Sequence, residues 1–337
     1  MSSIAATMRG IIAEEKVCVL SEVPRPTIAA GEVIVQVRAS AINRLDTLQR
    51  KGLSPCPAGC TPVLGLEASG EISELSDEAR ALGWAEGDRV MALVQGGGNA
   101  EYVSVPAGLL MKVPESMSWN DSGALPETFL TAFQLLFFVG GFEAGQSVLI
   151  HAGGSGVGLA LVQLSRIFGA RSIFVTAGSV GKIDKAISFG ATAGFNRHDN
   201  GGIWAPSIRE ACEGGVDLIL DCVGGSYWDQ NVNAAKLEAN WVLYGTLGGA
   251  ACDGAFLRGL MKKRISLLAT TLRTRSVPYK EKLVARFSRE ALAYFETQEL
   301  KVEVDRSFPL ELVQQAHEYM GQNLNTGKIG IDVAIPR

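Results

Sequence analysis

The residues with the most chemical content lie at 147–170, SVLIHAGGSGVGLALVQLSRIFGA. An apolar run, Val148–Ile150, enters a glycine-rich turn, Ala152-Gly153-Gly154-Ser155-Gly156-Val157-Gly158. Leu159, Val162, Leu164, Ile167 and Phe168 follow at helical spacing, and Gly169 is placed to end that helix. This order predicts strand, turn and helix. Glycines there let the backbone close on a pyrophosphate, and the helix start offers free N–H groups at the positive end of its dipole. The chemistry expected is dinucleotide binding, with Gly154, Ser155, Gly156, Val157 and Gly158 in contact with the cofactor.

The next strand reads Arg171-Ser172-Ile173-Phe174-Val175-Thr176 and ends at Ala177-Gly178-Ser179. An NAD site has Asp or Glu about here, for the ribose 2′-hydroxyl. This chain has no carboxylate until Asp184, while Lys182 and Arg197 are near. A missing acid with added cations suits a 2′-phosphate. NADP(H) is expected over NAD(H), with Ser179, Lys182 and Arg197 as its contacts. The alternative is that both cations are solvated surface charges.

These residues need a scaffold. The 337 residues are 47% hydrophobic and 20% charged, with 39 glycines, as in an ordinary globular α/β protein. A net charge of −4 argues against a nucleic-acid surface or an anionic-membrane surface. The N-terminus lacks a long apolar core, so no signal peptide is expected. Six cysteines without a CxxC then read as reduced thiols in a cytoplasmic protein. The longest apolar run, 129–141, is too short and broken to span a bilayer.

The first part reads as β-rich, with runs at 10–20, 32–39, 69–75, 89–93 and 101–105. A helical turn is expected within 40–51. From about 125, strands at 148–151, 172–176, 192–196, 217–221, 241–245 and 265–270 alternate with helices at 181–189, 203–212, 227–237 and 254–263. This predicts α/β architecture with a doubly wound parallel sheet. Cys222-Val223 and Tyr244-Gly245 fall at strand C-termini, where ligands bind in such sheets, and Gly224-Gly225 and Gly248-Gly249 would let a cofactor approach the backbone. Helices are expected at 280–297 and 310–321, around a short run at 302–308. A tail strand at 328–335 is expected to return to the first domain.

Longer motifs carry a family resemblance. They are ASAINRLDTLQRKG (39–52), VLGLEASG (63–70), GGGNAEYVSVP (96–106), ALPETFLTAFQLL (124–136), IHAGGSGVG (150–158), LILDCVGGSYW (218–228), WVLYGTLGG (241–249) and NTGKIGI (325–331). The chain resembles the zinc-free quinone oxidoreductase branch of the medium-chain dehydrogenase/reductase superfamily. The resemblance implies a discontinuous GroES-like β-rich domain (1–124 and 276–337) and a Rossmann NADP-binding domain (125–275). It also implies a homodimer built through Rossmann edge strands. The residues up to Thr7 look like an extension before the family's usual start.

Zinc members of the superfamily carry a Cys in place of Asn43, Gly-His-Glu in place of Gly65-Leu66-Glu67, and another Cys near Glu127. Asn43 and Leu66 supply neither thiolate nor imidazole, so no catalytic zinc is expected. Without a Lewis acid, alcohol oxidation lacks a means of stabilising an alkoxide, whereas hydride reduction of an electron-poor acceptor stays feasible.

The resemblance places Asn43 beside the nicotinamide ribose or the acceptor, and Asp46 at the quinone site. The alternatives are an Asn cap and a helix-start carboxylate. It places Thr128 and Thr131 on a helix approaching the nicotinamide, or facing the core. It adds Cys222, Val223, Tyr244, Gly245, Leu247, Thr270, Thr271, Asn325 and Lys328 as cofactor contacts. Cys222 reads as a small buried residue rather than a redox nucleophile. Two departures stand out. Leu53-Ser54 replaces a tyrosine at the site mouth, and Arg197 replaces a tyrosine near the 2′-phosphate. No Tyr, His or Lys presents itself as a general acid, so solvent or a bound water is expected to protonate the reduced quinone. The function expected is NADPH-dependent reduction of quinones. The alternatives are enone or alkenal reduction and a non-enzymatic, crystallin-like NADPH-binding protein.

Overall fold

The computed structural model describes residues 6–57, 59–252 and 254–333. They form fifteen strands: β1 (Thr7–Glu14), β2 (Val17–Pro24), β3 (Glu32–Ile42), β4 (Glu67–Leu75), β5 (Arg89–Leu93), β6 (Tyr102–Pro106), β7 (Leu110–Lys112), β8 (Ser147–His151), β9 (Ser172–Ala177), β10 (Ala193–Asn196), β11 (Val216–Asp221), β12 (Ala235–Leu243), β13 (Ser266–Ala269), β14 (Val304–Pro309) and β15 (Lys328–Asp332). The chain divides into two compact units, 1–130 with 273–337, and 131–272.

The second unit is a six-stranded parallel sheet in the order β10-β9-β8-β11-β12-β13. Counted within the unit this is 3-2-1-4-5-6, the doubly wound dinucleotide-binding order, with its switch point between β8 and β11. All five residues of β8 are buried, which explains its unbroken apolar run. Trp204, Ile208, Val216, Ile219 and Trp241 pack in the core on one side.

In the first unit, a mixed sheet runs β14-β15-β3-β4-β5-β7, with β6 also on β3 and β1-β2 as a separate hairpin. β15 pairs antiparallel with β3, Ile329 opposite Ile42. The last expected strand residue, Ile335, lies outside the described residues.

Three local expectations change. The single run 10–20 is a hairpin, because Glu15 and Lys16 both take positive φ (45° and 68°) and reverse the chain in two residues. The expected helix 280–297 is two helices, Val277–Glu290 and Ala293–Glu296. Leu237 belongs to β12, since the preceding helix ends at Ala234.

Candidate functional site

In the second unit, Ala152 leaves β8 with φ +53°, and Ser155 caps the helix Gly156–Ile167 by accepting the Gly158 N–H at 3.0 Å. A β-carbon on Gly153 would stand 2.5 Å from Val175 Cβ, and one on Gly158 would strike the Ala152 carbonyl. These glycines are therefore required by packing before any ligand arrives. The helix start, with Gly156 and Val157, presents N–H groups for an anion.

At the end of β9, Ser179 caps the helix Val180–Ser188, accepting the Lys182 N–H at 3.4 Å. The Arg197 guanidinium lies over Gly178, where a β-carbon would stand 3.1 Å from Nη2. The Lys182 stem packs on Gly154, where a β-carbon would stand 2.7 Å from its Cβ. Arg197 Nε also donates to His198 Nε2 at 3.2 Å. The fold thus gathers Gly154, Gly178, Ser179, Lys182 and Arg197 at one corner. A side chain at 178 would make the guanidinium give way by a few tenths of an ångström. This cradle fits a nicotinamide dinucleotide.

Beyond β11, Asp221 organises the turn that carries Cys222 and Val223. Its Oδ1 accepts the N–H groups of Val223 (2.6 Å) and Gly224 (3.0 Å). Its Oδ2 accepts Asn231 Nδ2 (2.9 Å) and Trp241 Nε1 (3.0 Å). Asn231 Oδ1 faces His151 Nε2 at 2.7 Å, and His151 Nδ1 faces Thr176 Oγ1 at 2.8 Å. Asn231 donates its Nδ2 hydrogen to Asp221, so its oxygen accepts from His151. That fixes the Nε2–H tautomer, with the Thr176 hydroxyl donating to Nδ1. Burial holds the His151 ring below its ordinary pKa, so it stays neutral. The imidazole and its partners were not singled out from sequence. An acid ending the apolar run LILD was the available signal.

The turns that carry these glycines are bonded to one another. Leu247 and Gly248 donate to the Cys222 and Val223 carbonyls at 3.0 and 2.7 Å, and Gly225 donates to the Gly249 carbonyl at 2.7 Å. A β-carbon on Gly225 would strike the Ala251 carbonyl, and one on Gly245 would come 2.9 Å from the Cys222 carbonyl. At Gly225 and Gly245 the missing side chain lets two turns lace together. Tyr244 has its hydroxyl buried beside Cys222, and burial pushes it well above the phenol range. Leu247 is 58% exposed and Thr271 is exposed. Thr270 is buried, its hydroxyl accepting Gln134 Nε2 at 3.1 Å. Thr131, on the helix Pro126–Phe133, is half-buried.

The first unit holds a buried charged cluster. Lys328 Nζ donates to the Ile42 carbonyl (3.0 Å), Asn43 Oδ1 (2.6 Å) and Glu67 Oε1 (2.6 Å). An ammonium has three hydrogens, and all three are committed here. Asn43 Nδ2 donates to Glu67 Oε1 at 2.9 Å, and the Glu127 N–H donates to Glu67 Oε2 at 2.8 Å. Glu67 was not a sequence candidate, although it is fully buried at the centre of this cluster. Its signal was a charge beside Leu66 in an apolar segment.

Asp46 is 0% exposed, and its two oxygens accept the N–H groups of Asn43 (2.7 Å) and Gly65 (3.2 Å). It is the helix-start carboxylate of Arg44–Arg50. Burial raises it to about 6. Lys328 is 4% exposed. Thr128 turns its hydroxyl back to the Ala124 and Leu125 carbonyls (3.0 and 3.1 Å), leaving only acceptor capacity. Asn325 binds the Gly327 carbonyl at 2.8 Å and shapes the turn before β15.

A zinc ion does not fit these residues. Asn43 Oδ1 is taken by an ammonium, Leu66 is a buried hydrocarbon, and no group of three or more His, Cys, Asp or Glu able to hold a metal occurs among the described residues. No helix there is long and apolar enough to cross a membrane.

The fold and corner define a two-unit oxidoreductase that binds a nicotinamide dinucleotide. Residues 29–115 match the alcohol dehydrogenase GroES-like domain, and 156–289 match the zinc-binding dehydrogenase family. The chain belongs to the medium-chain dehydrogenase/reductase superfamily. It is 28% identical to the synaptic vesicle membrane protein VAT-1 homolog-like of Mus musculus over 337 residues, 93% of this chain and 78% of that one. Among solved structures it is 26% identical to the CurK enoyl reductase (TM-score 0.84, 98% of this chain, 100% of that) and 26% identical to an NAD-dependent alcohol dehydrogenase (TM-score 0.84, 97% and 100%). A mycobacterial quinone oxidoreductase, 23% identical with TM-score 0.82 over 97% and 100% of the two chains, shares the fold.

Proposed function

We propose that this oxidoreductase is an NADPH-dependent, zinc-independent reductase of quinones. The observation that carries the reading is the corner after β9. Gly178 and Ser179 stand where a carboxylate would take a 2′-hydroxyl, and Arg197 and Lys182 frame that place. A 2′-phosphate carries the charge this corner lacks. The start of the helix Gly156–Ile167, opened by Ser155, takes the pyrophosphate.

Bound NADPH supplies a hydride. The chain's part is to orient and to stabilise charge. Asn43 is fixed by Lys328 and Glu67, so its amide is held for the nicotinamide ribose or the acceptor. Neither Asn43 nor Leu66 offers a metal ligand, so the acceptor's own electron deficiency must lower the barrier. Quinones meet that requirement and simple ketones do not. Positioning supplies most of the acceleration in such a reaction. Pairing of two copies through β13, whose Ser266, Leu267 and Ala269 are exposed, belongs to the same reading.

Reduction of enones is the second reading, favoured by the likeness to an enoyl reductase. The test is NADPH consumption with an ortho-quinone. The protein should accelerate it well above the uncatalysed rate, and a rate equal to the blank contradicts the proposal.

A further inference from the structure

Hydride transfer to a quinone leaves an anion that needs one proton. The groups around Asn43 in the first unit differ sharply in their capacity to give one. Glu67 is fully buried, and its oxygens accept from the Lys328 ammonium, the Asn43 amide and the Glu127 N–H. Asp46 has both oxygens on backbone N–H groups and no exposed surface. The Lys328 donors are committed to three oxygens. Thr128 donates to the backbone just before its helix.

Glu127 is different. Its N–H anchors it to Glu67 Oε2 in the first turn of the helix Pro126–Phe133, so its main chain is fixed to the partner of Asn43. Its half-buried side chain makes no hydrogen bond or ion pair with another described residue. A carboxyl fixed at its root and unpartnered at its tip is available to a ligand.

We propose that Glu127 is the acid that delivers the proton to the acceptor anion, a role that rests on the reductase reading above. The carboxyl O–H bond breaks and an O–H bond forms on the acceptor. Both electrons arrive with the hydride, so Glu127 is neither oxidised nor reduced. The carboxylate then recovers a proton from water on its exposed side.

The surroundings favour a protonated Glu127. Burial, and next the negative charge of Glu67, raise its pKa to about 8, with Asp46 adding to the rise. Lys328 and Lys280 oppose it. Lys328, however, is paired with Glu67, and Lys280 Nζ donates to the Arg273 carbonyl at 2.7 Å. An acid in that range is suited to donation near neutral pH.

The experiment compares the full-length protein with Glu127→Gln and Glu127→Asp. In the protein without cofactor, infrared difference spectra should show a carboxylic-acid band titrating near pH 8, absent from Glu127→Gln. NADPH affinity should be unchanged, which also shows that the variant is folded. With an ortho-quinone, kcat of Glu127→Gln should fall about a hundredfold. The wild-type decline of kcat above about pH 8 should disappear, and Glu127→Asp should restore part of the rate. Wild-type kcat and pH profile in Glu127→Gln, or no titrating band in the wild type, overturns this role alone. A wild-type protein that reduces no acceptor overturns the reductase reading and this role together.

Discussion

Lys328 Nζ lies 2.6 Å from Asn43 Oδ1, joining residues 285 apart in the chain. The contact decides which way the Asn43 amide faces, because the ammonium can only donate. The Asn43 nitrogen is thereby turned to Glu67, and the C-terminal strand β15 is locked to the end of β3.

Replacing Lys328 by Ala should therefore destabilise the protein strongly. Glu67 would stay buried without its cation, and breaking such a pair costs about 3–5 kcal/mol. Urea unfolding measures it. A loss within the ~1 kcal/mol of an exposed pair would contradict the account.

Cofactor preference should follow the corner after β9. NADPH should bind at least about tenfold more tightly than NADH, ~1.4 kcal/mol. The double change of Lys182 and Arg197 to Ala should remove most of that difference. Fluorescence titration of both cofactors checks it, and equal affinities in the unmodified protein would contradict it.

Stability should depend on pH with a definite sign. Burial raises Asp46 to about 6 and Glu127 to about 8. Above the ordinary carboxylate range of about 4, the native form keeps protons that the unfolded chain has released. Stability should therefore fall as pH rises from about 4 through about 8, with no contribution below that window. Glu127→Gln should flatten the upper part of the slope. Urea midpoints across this range test it, and an unchanged slope in that variant would refute the assignment.

Zinc content should be negligible. Protein prepared without chelator should carry well under one zinc per chain, because Asn43 Oδ1 already holds an ammonium and Leu66 is apolar. Elemental analysis decides this. Activity lost to chelator and restored by zinc would refute it.

The alternating strands and helices of the second unit, and its acid-free corner, were readable because each rests on local pattern. Val148–Ile150, the glycine turn and Gly178-Ser179 announce themselves within a few residues. What stayed hidden depends on contacts distant in sequence. Nothing near Asp46 reveals that Gly65 will cover its second oxygen. Nothing near Glu67 reveals that Lys328 will neutralise it across 261 residues. Nothing near Gly225 or Gly248 reveals that Ala251 and Ser226 will pack against them. The reversal at Glu15-Lys16 has no local signal, because neither residue is a usual positive-φ type.

The central claim is that an NADPH reductase without a metal acts on acceptors that are themselves electron-poor. Steady-state oxidation of NADPH with an ortho-quinone, an enone, a simple ketone and, in reverse, a simple alcohol with NADP⁺ tests it most directly. Quinone turnover should far exceed ketone turnover, with no measurable alcohol oxidation. Quinone turnover no faster than the uncatalysed reaction, in protein that still binds NADPH, would contradict it.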